Sequence, residues 1–157
     1  TTLKNDYAEM GIELDVVHHS QYIDELINEK KIEPKPYLDE DITFHDPCYL
    51  GRHNGEYDAP RKVLQSVLKK GSIKEMEQSK SDSFCCGAGG GNMWYEVKTG
   101  ERINQHRVNQ AVDTEAKTIA AACNFCNIML EDGVKTTGNE ENIRVVDIAE
   151  MVSKGLE

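Results

Sequence analysis

Ser83-Phe84-Cys85-Cys86-Gly87-Ala88-Gly89-Gly90-Gly91-Asn92 is the stretch from which the rest of the chain can be read. Two adjacent cysteines run directly into a glycine-rich loop. Neighbouring side chains diverge, so the two thiols cannot share one apolar pocket. A disulfide between neighbours would close a strained small ring far from ordinary bridge geometry. Two thiolates gripping one metal centre is a better use of the pair. Glycines let bare backbone approach such a centre, and their N–H groups can donate to anionic sulfur. Gly87, Gly89 and Gly90 are therefore candidate contacts to whatever the thiolates hold. The other three cysteines are placed almost symmetrically about this stretch. There are 36 residues between Cys48 and Cys85 and 36 between Cys86 and Cys123, and Cys126 completes a Cys-x-x-Cys pair.

Towards the N-terminus, Ile42-Thr43-Phe44-His45 reads as a strand broken by Asp46-Pro47, which delivers Cys48 at its C-terminal end. A helix opens at Asp58-Ala59-Pro60, with Asp58 as N-cap and Val63, Leu64, Val67 and Leu68 as its buried stripe. Ile73 to Met76 is a weak strand candidate. Towards the C-terminus, Met93-Trp94-Tyr95 is an apolar knot expected in the core or at a domain interface. Gly100 to Thr114 reads as a helix with Ile103, Val108, Ala111 and Val112 inward. Thr118 to Ala122 suits a strand buried on both faces and ends at Cys123. A helix over Phe125 to Asp132 stops at Gly133, Ile143 to Val146 is the last strand, and Asp147 caps a final helix. Strands alternating with helices predict an α/β fold, a mostly parallel sheet flanked by helices. Open parallel sheets bind ligands outside the carboxyl ends of their strands. The cysteines are expected to converge at that edge.

The first residues read as a helix ending at Glu9-Met10-Gly11, followed by a strand over Ile12 to Val17 and a helix from Gln21 to about Lys31 capped by Ser20. This section echoes the C-terminal one. Leu3-Lys-Asn-Asp, then Leu14-Asp-Val-Val-His and a helix, parallels Leu130-Glu-Asp-Gly, then Ile143-Arg-Val-Val-Asp and a helix. The later copy follows a Cys-x-x-Cys pair. Residues 1–40 are therefore expected to be the strand–helix tail of a preceding cysteine-rich unit packed on the same sheet, with 41–157 the cysteine domain proper.

The chain has 157 residues and a net charge of -10, which argues against nucleic acid and anionic membranes as partners. It has no apolar run of transmembrane length, so this piece is not expected to insert directly into a membrane. Five cysteines without a secretory signal point to a reducing, cytoplasmic setting, where such clusters bind metal or do redox work. Zinc is satisfied by four ligands, and common cubane and rhombic iron–sulfur clusters also take four. A fifth convergent thiolate suggests a cluster outside those types. His45, at a strand end near Cys48, is read as a structural histidine bonded to backbone, with donation to a sulfur as the sharper alternative. His18 and His19 read as helix-entry residues, and His53 and His106 as solvated. None of the five histidines is read as a metal ligand.

The pattern Cys, 36 residues, Cys-Cys-Gly, 36 residues, Cys-x-x-Cys resembles the cysteine-rich CCG domain family. Its members include heterodisulfide reductase subunits of two types and the iron–sulfur subunits of glycolate oxidase. Membrane-associated partners of electron-transfer flavoproteins belong to it too. The flanks His45-Asp-Pro-Cys-Tyr-Leu-Gly-Arg52 and Cys85-Cys-Gly-Ala-Gly-Gly-Gly91 carry the likeness as well, which runs from Ile42 to Val152. The resemblance implies an oxidoreductase component holding a non-cubane [4Fe-4S] cluster through Cys48, Cys85, Cys86, Cys123 and Cys126. Other redox subunits (ferredoxin-like, flavoprotein or quinone-linked) would be its partners, with a disulfide or thiol as a possible substrate. It also allows a site at the cytoplasmic face of a membrane through a longer parent protein. Some motifs of the family hold zinc, so a zinc-stabilised structural or interaction module without redox activity is the alternative. The first motif of two-motif members and a ferredoxin-like cysteine run are not in this sequence.

Overall fold

The structure is a computed structural model describing residues 1–95 and 99–157. Its centre is a parallel sheet of three strands in the order β1 (Ile42–His45), β2 (Thr118–Ala121), β3 (Arg144–Asp147). Ile42 pairs with Thr118 and Thr118 with Arg144, so all three strands run in step and end at one edge. β1 and β2 are buried along their whole length. That is why Ile-Thr-Phe-His and Thr-Ile-Ala-Ala lack the alternation of a half-exposed strand.

Alternate residues of the strands feed two apolar layers. Ile42, Phe44, Ala120 and Ala122 pack against α3 (Asp58–Val67) and α6 (Ile148–Gly155). Ile119 and Ala121 face the other way, onto α4 (Ile103–Val112) and α5 (Asn124–Thr136). The result is the expected α/β sandwich of helix, sheet and helix. Asp147 caps α6 as expected, its Oδ1 accepting from Ala149 N at 2.8 Å. Among the described residues no helix is long and apolar enough to cross a membrane.

Several expectations are corrected. Ile12 to Val17 forms no strand: it follows the short helix α1 (Tyr7–Glu9) as extended chain, with Ile12, Leu14 and Val17 exposed. An apolar run becomes a strand only beside a strand that pairs with it, and among the described residues none pairs with this one. Ile73 makes one isolated bridge to Ile42 rather than a strand. α2 (His19–Asn28) is capped by His18, not Ser20, and it ends before Lys31. At α3, Glu56 takes the capping role assigned to Asp58: its Oε1 accepts from the backbone N–H groups of both Asp58 and Ala59. Gly133 does not stop α5. A Cβ there would stand 2.9 Å from Asn104 O, so the glycine lets α4 cross α5 closely. The buried face of α4 is Asn104, Arg107, Val108 and Ala111, whereas Ile103 is exposed. Trp94 is 84% and Tyr95 68% exposed, so neither is core; only Met93 of that knot packs inward.

Candidate metal centre

Two of the three cysteine-bearing segments come directly off strand ends. β1 ends at His45 and leads through Asp46-Pro47 to Cys48; β2 ends at Ala121 and leads to Cys123. The third, Ser83 to Gly87, is tied to the first. Arg52 Nη2 donates to Ser83 O at 2.6 Å, and Ser83 Oγ to Asp46 O at 3.3 Å. Arg52 thus links the loop after Cys48 to the residues entering Cys85.

All five cysteines are free thiols; Cys86 and Cys126 are buried and the other three half-buried. Two of them are brought together in the interior: the sulfurs of Cys86 and Cys126 and a ring nitrogen of His45 all lie within 4.8 Å of one another. Cys85 adjoins Cys86 in the chain, and Cys48 and Cys123 line one cleft with Cys126. Cys86 sits at the middle and is held far below the usual thiol range, because Cys126, Cys85 and His45 all donate toward it. The donors move the other way: Cys126 is pushed up by giving its hydrogen to Cys123 and Cys86, and Cys85 by giving its own to Cys86. Cys123 is the N-cap of α5 and is drawn down to about 6, first by the Cys126 thiol, then by the backbone N–H groups of Cys126 and Phe125. Burial raises Cys48.

The glycine loop does what its composition suggested at one position. Gly87 N donates to Cys85 Sγ at 3.3 Å. Gly87 has φ +92°, and a Cβ there would meet Asn104 N at 3.2 Å, so no other residue fits without strain. Gly90 contributes a turn with φ +66° in open space.

Beneath the sulfurs lies a buried polar layer that sequence reading missed. His45 is 1% exposed and Arg107 fully buried, and Arg107 Nε donates to His45 Nδ1 at 3.0 Å. His45 therefore bonds a side chain, not the backbone as expected. Its ring is pushed below the ordinary imidazole range by burial. Burial also pulls the Arg107 guanidinium down to about 10, with Asp46, Cys126 and Cys86 opposing. The clue in the sequence was an arginine at an inward position of a helix, midway between Ile103 and Ala111. His53 and His106 are exposed as expected, stacked on Tyr49 and edge-on to Phe84 respectively.

A cleft of about 490 Å³ opens on Cys48, Cys123 and Cys126, with Lys4, His18 and Glu56 among its other walls. His18 docks the N-terminal segment there. Its Nδ1 accepts from Ser20 N at 3.2 Å and lies 2.8 Å from Ser20 Oγ. Burial, with His19 beside it, lowers this ring from 6.5 to about 4. The folded protein therefore holds it neutral while the unfolded chain takes up a proton near 6.5. Stability is complete above that pH and is lost as pH falls from 6.5 to 4. The loss is about 1 kcal/mol, since the half-exposed ring is screened by solvent. Urea denaturation across that range should show it, and His18→Asn, which keeps a capping side chain but cannot titrate, should flatten the slope. An unchanged slope in the variant would assign the effect elsewhere.

A donor set of five free thiols, with a backbone N–H group and a buried cation beside it, fits an anionic iron–sulfur group better than a lone zinc ion, which four would saturate. Comparison with known proteins points the same way. The family model of the CCG cysteine-rich domain matches residues 42–131. A probable iron–sulfur-binding oxidoreductase, FadF of Bacillus subtilis, is 41% identical over 98% of this chain and 22% of its own length. The EtfAB:quinone oxidoreductase of Syntrophomonas wolfei is 42% identical over 100% of this chain and 23% of its own. One subunit of the dihydromethanophenazine:CoB–CoM heterodisulfide reductase of Methanosarcina barkeri is 38% identical over 94% of this chain and 36% of its own. The chain thus spans between about a fifth and about a third of the length of these relatives. The model match covers more than half of the 157 residues, and the chain belongs to the CCG cysteine-rich domain family.

Proposed function

We propose that this chain is an iron–sulfur electron-transfer unit of a heterodisulfide-reductase-like oxidoreductase. Cys48, Cys85, Cys86, Cys123 and Cys126 would hold a non-cubane [4Fe-4S] cluster. The observation that supports the reading is the approach of Cys86 and Cys126, whose sulfurs lie within 4.8 Å of each other beneath a cleft that Cys48 and Cys123 also line. When bound, such a cluster supplies one-electron redox chemistry. The protein supplies the rest. Cys86 and Cys123 are readied as thiolates, Gly87 aims its N–H group at Cys85, and Arg107 places a buried positive charge beside the sulfurs. The cleft beside Cys48, Cys123 and Cys126 leaves room for a sulfur-bearing substrate.

A second reading concerns that substrate only. One relative at 42% identity is named for electron-transfer flavoprotein and quinone, which favours passing electrons between redox subunits with no disulfide at the cluster. In either case other redox subunits or domains are the partners.

Iron, zinc and acid-labile sulfide should be counted on protein purified without oxygen. About four irons with matching sulfide per chain are expected. One zinc and no sulfide would make the chain a zinc-stabilised structural module and end the redox reading. Titrating the reduced, iron-loaded protein with a small disulfide separates the other two cases. A changed EPR spectrum supports cleavage at the cluster, and an unchanged one supports relay.

A further inference from the structure

His45, Cys86 and Cys126 present a ring nitrogen and two sulfurs within 4.8 Å of one another, all buried. Three such groups invite the reading of a mixed His–Cys metal site. Arg107 argues against it. Its Nε donates to His45 Nδ1 at 3.0 Å, and a guanidinium has no lone pair with which to accept. Nδ1 must therefore carry the lone pair, and the neutral ring must carry its proton on Nε2. The nitrogen left to serve the sulfurs is an N–H donor and offers no lone pair to a metal.

The rest of Arg107 is arranged to hold that geometry. Its Nη1 donates to Gln78 O at 2.8 Å and Gln110 Oε1 at 2.7 Å, and its Nη2 to Ser83 Oγ at 3.2 Å. All these acceptors are neutral. A buried guanidinium with only neutral partners keeps its charge most readily beside anions, and the Asp46 carboxylate and the Cys86 thiolate both support it here. The same fork thus fixes the ring on β1 and grips the segment from Gln78 to Ser83 that leads into Cys85 and Cys86.

We propose that Arg107 is a positioning residue that locks His45 in the Nε2–H tautomer, so that His45 donates a hydrogen bond to the Cys86 thiolate and is not a ligand. This rests on the reading that Cys86 binds its metal as a thiolate. Hydrogen bonds to ligand sulfur draw off charge and favour the reduced cluster. His45→Leu removes the donor, and His45→Gln returns an N–H.

The test uses the chain purified without oxygen, labelled with ¹⁵N-histidine. In the reduced, iron-loaded protein, pulsed electron–nuclear spectra should show an exchangeable proton lost in D₂O and only weak ¹⁵N coupling. His45→Leu should lose that proton. At fixed potential its reduced-to-oxidised ratio should fall about tenfold, equivalent to about 59 mV for one electron. His45→Gln should recover most of the shift, and Arg107→Lys should weaken the proton signal without emptying the site. Strong ¹⁵N coupling, or an unmoved potential in His45→Leu, overturns the proposal. If metal analysis finds zinc, the cluster reading fails but this one is still decided. ¹⁵N NMR of the zinc protein must then show Nε2 protonated and Nδ1 bare, and the reverse pattern or a metal-bound nitrogen overturns it.

Discussion

Cys86→Ala is expected to empty the site. Its buried sulfur lies within 4.8 Å of the Cys126 sulfur and a ring nitrogen of His45, and Cys85 is its neighbour in the chain. A group acting only through a ligand typically changes metal affinity about 10–100-fold when removed. Removing the central thiolate should exceed that, and iron and sulfide should fall to background in protein prepared under identical anaerobic conditions. Alanine leaves an apolar side chain in an apolar layer, so the fold should survive; circular dichroism and a cooperative urea transition check this. Cys48→Ala is the control. Its thiol is half-buried at the rim and raised by burial, so it should lose part of the metal and retain the rest. Full iron in Cys86→Ala, or equal losses in the two variants, would show that the sulfurs are not organised around Cys86.

Arg61→Met should cost the fold most among substitutions away from the sulfurs. The Arg61 guanidinium grips both oxygens of Asp46, at 2.8 and 2.9 Å, and both of Glu75, at 2.7 and 2.8 Å. The Asp46 side chain is only 2% exposed. Without Arg61 that carboxylate keeps one backbone donor, Lys80 N, and loses its adjacent counter-charge. Removing one partner of a buried pair costs roughly 3–5 kcal/mol. The urea midpoint should fall accordingly. Adding Asp46→Asn to Arg61→Met should return part of the loss, because the orphaned charge is then gone. A single-variant cost under about 1 kcal/mol would mean that the pair behaves as a surface ion pair. Asp46 lies two residues before Cys48, so a loss of metal should accompany the loss of stability.

Much of this arrangement was legible in the chain. The strand at Ile42–His45, the strand at Thr118–Ala121 and the cap at Asp147 are local signals: an apolar run, a break and a polar oxygen at a helix start. The five cysteines announced themselves by number and spacing. The misreadings share one cause, which is that tertiary neighbours decided them. Gly133 looks like a helix terminator until α4 is seen lying across it. Ile103 looks inward and Arg107 outward on hydrophobicity alone, but Arg107 turns inward because His45, Ser83 and Gln110 supply acceptors for its N–H groups. Ile12–Val17 has a strand's composition and, among the described residues, no strand to pair with. Yet the repeat seen in the sequence survives at its end: His18 and Asp147 occupy matching places and each caps its helix by accepting from the N–H two residues on.

The sulfurs reach their meeting point from three segments separated by two equal stretches of 36 residues. A shared inorganic core would knot those segments together as a pair of cross-links does, each shutting a long loop in the unfolded chain. Loops of that size are each worth roughly 4 kcal/mol in chain entropy, comparable to a large part of the stability of an ordinary domain. Loading would then be a maturation step. Before it the chain would be folded but less stable and more open to proteases, and a substitution far from any sulfur would lower the yield of finished protein simply by shortening the precursor's life.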